Sequence, residues 1–79
     1  LLKSMQEWIN SFMKNEVLQF GKKLRDVRLK KKLSQGDIAR TLGVHRSYIS
    51  GLERGRRNPS LLTVQKIAKA IGISAKELL

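Results

Sequence analysis

An all-α domain is what the sequence predicts, and three observations predict it. Apolar residues recur at spacings of three and four along most of the chain. The period-two alternation of a half-buried strand is absent, as are paired β-branched runs around an Asn-Gly or Gly-Gly turn. Serines stand just ahead of the periodic segments, where helix N-termini are capped.

Five or six helices follow in order. The first spans about 2–14, with Leu2, Met5, Trp8, Ile9, Phe12 and Met13 on one apolar face. The second spans about 16–32, with Val17, Phe20, Leu24 and Val27 inward and a basic outer face ending in Lys30-Lys31-Lys32. Cations there suit the helix macrodipole. Ser34 with Asp37 approximates a capping box for a third helix, about 35–42, with Ile38, Ala39 and Leu42 inward. Gly43 sits where a left-handed cap needs no Cβ. A fourth helix, about 45–54, starts after only Gly43 and Val44, and so short a turn sets two short helices at a sharp angle, as in a helix-turn-helix. After the loop from Gly55 to Pro59, Ser60 caps a fifth helix, about 61–71, with Leu61, Val64, Ile67, Ala68 and Ile71 inward. Gly72 ends it, and Ser74 with Glu77 opens a last turn from 75. The expected division is an N-terminal amphipathic extension, residues 1–15, and a helix-turn-helix domain, residues 16–79.

Composition narrows the function. The 79 residues leave room for one domain, which at that size buries roughly 60% of its unfolded surface and gains from dimerising. Seventeen Lys and Arg stand against six Asp and Glu, a formal net charge of +11, which favours an anionic partner. There is no cysteine, and the lone histidine, His45, has no carboxylate cluster near it, so neither a disulfide framework nor a metal site is expected. Neither Ser47 nor Ser50 has a visible base and orienting acid, so the protein is expected to be a non-enzyme without cofactors. No run approaches a membrane span, and LLKSMQEWINSFMKNE is too often interrupted by polar residues to be a signal-peptide core. A cytoplasmic setting is expected.

The two short helices carry the chemistry. In a DNA-binding helix-turn-helix the second helix enters the major groove, and its N-terminal residues reach base edges. Here those are His45, Arg46, Ser47 and Ser50, on the side opposite Ile49 and Leu52. Arg46 can pair bidentately with guanine. Tyr48 either packs on a thymine methyl or sugar, or covers the core edge. The loop that follows runs beside the DNA backbone, so Arg54, Arg56, Arg57 and Asn58 are candidate phosphate contacts, and Gln35 can clamp a phosphate at the start of the third helix. Gly51 permits close approach of DNA or of a neighbouring helix. The bland readings are a solvated loop at Arg56-Arg57 and a solvated helix end at Lys30–Lys32.

From Phe20 onward the segments LSQ, LGV, YISGLERGRRNPSL and IAKAIGIS resemble the Xre-like helix-turn-helix family, which includes lambdoid phage repressors. Within it the pattern looks most like the controller proteins of restriction–modification systems. The resemblance implies a lambda-repressor-like five-helix domain, here with an additional N-terminal helix, and a homodimer on inverted-repeat operator DNA. It implies base contacts at Arg46, Ser47 and Tyr48, and backbone contacts at Gln35, Asn58 and the loop arginines. It also implies a structural ion pair between Arg28 and Glu53. Gly36 departs from the family pattern, where a better helix former is usual, and residues 1–15 lie outside it. Those residues have three readings: packing on their own domain, pairing with a symmetry mate, or a membrane-surface helix, the last disfavoured by a nearly neutral polar face. The expected function is a duplex-DNA-binding transcription regulator, either a restriction–modification controller or a phage-type repressor. The alternative is an antitoxin that autoregulates through the same domain and binds a toxin through residues 1–15. An RNA-binding module is disfavoured, since only four aromatic residues exist to stack on bases.

Overall fold

The computed structural model describes the backbone of residues 2–79 and the side chains of residues 4, 5, 7 and 15–79. Four α-helices run in order: α1 (Leu2–Lys30), α2 (Gln35–Leu42), α3 (Arg46–Glu53) and α4 (Leu61–Ile71). A closing 3₁₀ turn, Ala75–Leu78, packs on α4 and α1. Among the described residues there is no strand.

The first two predicted helices are one. Residues 14–17 hold neither Pro nor Gly, and Met13, Val17, Phe20 and Leu24 keep the same spacing of four and three across them. Nothing there breaks the helix, so the predicted additional N-terminal helix is the first half of α1 rather than a separate element. The apolar face proposed around Trp8, Ile9, Phe12 and Met13, and its protein partner, lie outside the described side chains. At its other end α1 stops at Lys30, short of the predicted 32. Lys32 takes the left-handed conformation (φ 57°) while the Leu33 N–H donates to the Arg28 carbonyl at 3.0 Å. That closes the helix as a glycine would, at a conformational cost of about 1–2 kcal/mol.

Eleven residues form one core: Phe20 and Leu24 from α1, Ile38 and Ala39 from α2, Ile49 and Leu52 from α3, Val64, Ile67, Ala68 and Ile71 from α4, and Leu78. Leu61, predicted inward, is 65% exposed. It occupies the first position of α4, at the helix end, and lines an open apolar groove of about 380 Å3 with Phe20, Val64, Leu78 and Leu79. Ser60 caps α4 by accepting the Thr63 N–H at 3.1 Å, and the Ser74 N–H donates to Glu77 Oε2 at 3.1 Å to start the last turn. Among the described residues no helix is long and apolar enough to cross a membrane.

Candidate nucleic-acid interface

Helix α2 begins with a complete capping box. Ser34 Oγ accepts the Asp37 N–H at 2.9 Å, and Asp37 Oδ2 accepts the Ser34 N–H at 2.8 Å. The Ser34 backbone bond, more than the Ser34 hydroxyl or nearby Arg40, holds the Asp37 carboxyl below its ordinary range. Gly43 ends α2 in the left-handed conformation (φ 71°), and the Val44 N–H folds back to the Ala39 carbonyl at 3.0 Å. This turn brings the chain round so quickly that α3 starts only four residues after α2 stops. His45 stands at the N-cap of α3 with an extended backbone and no side-chain capping bond, leaving its imidazole exposed.

The inner side of α3 is fixed by an ion pair to α1. Arg28 Nε donates to Glu53 Oε2 at 2.6 Å, and Nη2 to Oε1 at 2.9 Å. Its remaining Nη1 donates to the Leu33 carbonyl at 3.0 Å. The side chains are 11% and 4% exposed, so two charges are held in a fork geometry that satisfies both. The bond to Glu53 raises the Arg28 pKa above its ordinary value despite burial. Gln35 joins the same carboxylate, with Nε2 3.0 Å from Glu53 Oε1, so the start of α2 is tied to the end of α3.

Outside this network lies a polar groove of about 660 Å3. It is lined by Arg25 and Arg28 of α1, Ser34 and Gln35, and Arg46, Ser47, Ser50, Glu53 and Arg54. Four arginines thus surround one carboxylate, which Arg28 already engages. Arg46 and Ser47 are exposed on the outer face of α3, and Ser50 is half-buried beside them. The groove can take an anion along its length, and the first turns of α3 present the donors that could read it.

The predicted residues are not all brought together. His45, Arg46, Ser47, Ser50, Gln35 and Arg54 cluster around α3. Tyr48 is half-buried against the core, and the Arg57 guanidinium lies 6.0 Å from its ring centroid. Arg56 is exposed in the loop. Asn58 is exposed in the same loop and lines the apolar groove near Leu61. Arg25 is a groove residue that the sequence did not single out. Its one signal was its place three residues before Arg28, on the same flank of α1. Among the described residues no group of three His, Cys, Asp or Glu is placed to hold a metal.

A helix-turn-helix family profile matches residues 24–78. The chain belongs to the Xre-like helix-turn-helix family. Within the family it is 49% identical over 63 residues to the control protein C.BamHI of Bacillus amyloliquefaciens, a match that takes in 78% of each chain. The crystal structure of the restriction–modification controller protein C.AhdI from Aeromonas hydrophila superposes with a TM-score of 0.78 and 43% identity, covering 82% of this chain and 98% of that one. A tetramer of the controller C.Esp1396I in complex with its natural 35-base-pair operator matches with a TM-score of 0.70 and 28% identity, covering 80% and 93%.

Proposed function

We propose that this chain is a duplex-DNA-binding transcription regulator of the restriction–modification controller type, acting without catalysis as a homodimer on inverted-repeat operator DNA. The observation that carries it is the groove: donors on the outer face of α3, flanked by arginines from α1 and the α3 C-terminus, beside a carboxylate that is already paired. Helix α3 lies in the major groove. Arg46, Ser47, His45 and Ser50 face base edges, and Tyr48 closes the gap to the sugar or a thymine methyl. Arg54, Arg56 and Arg57, with Arg25 opposite, meet phosphates, and Gln35 reaches a phosphate from the start of α2 while remaining tied to Glu53.

A second copy suits the opposite face. Leu61 and Leu79 are exposed and line the apolar groove, Leu62 is exposed next to Leu61 in the chain, and no arginine of the polar groove lines it. A dimer there would leave both recognition helices outward, one for each half-site. The likeness to C.BamHI and C.AhdI favours a controller over a phage-type repressor.

The experiment is a salt series of titrations against three ligands. They are an operator duplex recovered by selection from a random pool, a scrambled duplex, and single-stranded RNA of equal length. We expect the operator to bind tightest, with log affinity falling linearly in log salt by about 0.9 per phosphate neutralised. Equal or tighter binding to the RNA would replace this reading.

A further inference from the structure

Helix α3 carries a glycine, Gly51, at a position where nearly any other residue would favour the helix more. A Cβ placed on Gly51 would meet Arg57 Cγ at 3.1 Å and Arg57 Nε at 3.8 Å. The stem of Arg57 therefore runs back from the loop and crosses α3 over the bare main chain of Gly51. Its guanidinium comes to rest over Tyr48, with the central carbon 6.0 Å from the ring centroid, the distance of a cation–π contact. Tyr48 is packed against the core, so the ring is anchored. Among the described residues no ring lies under Arg56, one residue earlier in the same loop.

We propose that Gly51 and Tyr48 form a shelf that holds Arg57 pre-set for a phosphate beside the recognition helix, with Gly51 as a positioning residue. The proposal rests on the duplex-DNA reading above. A long cationic side chain loses rotamer freedom when it closes on a phosphate, and one already laid across a helix loses less. The planar guanidinium stacks on an aromatic face and keeps its N–H edges free for oxygen, which suits it to both contacts at once.

The test is a two-residue cycle read in the operator salt series, with helical content and melting followed for each variant. Arg57→Ala should reduce the log–log salt slope by about one unit, the loss of one phosphate contact. Gly51→Leu, whose side chain fills the path of the Arg57 stem, should reduce the slope by the same about one unit with the fold intact. In the Arg57→Ala background, Gly51→Leu should then change affinity by no more than about twofold, because the group it displaces is gone. If its full effect persists in that background, the leucine meets DNA directly and the shelf is refuted. An unchanged slope for folded Gly51→Leu refutes it too. Should Gly51→Leu not fold, Gly51→Ala in the same two backgrounds decides, with a smaller slope change present only when Arg57 is present. Wild-type protein that binds no duplex would instead overturn the DNA-binding reading, and the shelf with it.

Discussion

The two sides of α3 follow opposite rules. On its inner side Ile49 and Leu52 are fully buried, the Glu53 carboxylate holds two partners, and the helix end is pressed against α1. The contact is so close that a Cβ on Gly21 would lie 2.5 Å from the Leu52 carbonyl oxygen and 2.7 Å from that of Glu53. On its outer side Arg46 and Ser47 stand exposed, and the glycine there, Gly51, is covered only by a flexible arginine stem. The difference teaches how an eight-residue helix too short to be stable alone can hold a polar face in a fixed orientation. One side is over-determined so that the other can be left open. Substitutions inside should cost stability, and substitutions outside should cost binding.

The largest break in that division should come from Glu53→Ala. It strips both Arg28 and Gln35 of a partner and leaves a guanidinium buried without its counter-charge, so we expect a loss of about 3–5 kcal/mol in denaturant unfolding. A loss near that of an exposed pair, under about 1 kcal/mol, would mean the network is solvated. Gly21→Ala comes next. Its new methyl group meets main-chain atoms, which cannot rotate away, so α1 and α3 must separate and about 3 kcal/mol should be lost. Unchanged melting would show that α1 does not seat as closely as the structure has it. A third glycine sharpens the contrast by sign. A Cβ on Gly36 would sit 3.4 Å from the exposed Arg40 guanidinium and 3.6 Å from Ser34 Oγ, ordinary contacts. Gly36→Ala should therefore stabilise α2 by up to about 1 kcal/mol. The smallest effect concerns acid. The Asp37 carboxyl is held below its ordinary range when folded, so its contribution is present above its unfolded value, about 4, and fades as pH falls through the lower folded one. Asp37→Asn should flatten the stability profile in that acid window and leave the profile above it parallel to wild type.

How much of this was legible in the sequence follows from how local each signal is. Ser34, Ser60 and Ser74 were readable as caps because a cap and its partner lie three residues apart on one chain segment. The ends of α2 and α4 were readable because Gly43 and Gly72 mark them. Lys32 marks nothing by type, and the end of α1 was misplaced for that reason. Leu61 was read as core from periodicity alone, which identifies a face without saying where the neighbouring helix stops. The polar outer face at Arg46, Ser47 and Ser50 was legible from phase against Ile49 and Leu52. By contrast, Arg25 and Gly21 owe their roles to α3 lying across α1, and no spacing within α1 announces that. The Arg28–Glu53 pair, 25 residues apart, came from the family resemblance, and the geometry bears it out.

The most direct measurement is a pair of titrations on Arg46→Ala, with selected operator and scrambled duplex at one fixed salt concentration. Arg46 is exposed at the first position of α3 and contributes nothing to the core, so the variant should melt as wild type does. Its guanidinium can reach guanine O6 and N7 with two parallel hydrogen bonds, so operator affinity should fall by about 1–3 kcal/mol per half-site while scrambled-duplex affinity barely moves. Equal weakening of both would make Arg46 a phosphate contact, and no change in either would mean that α3 is not the helix in the groove.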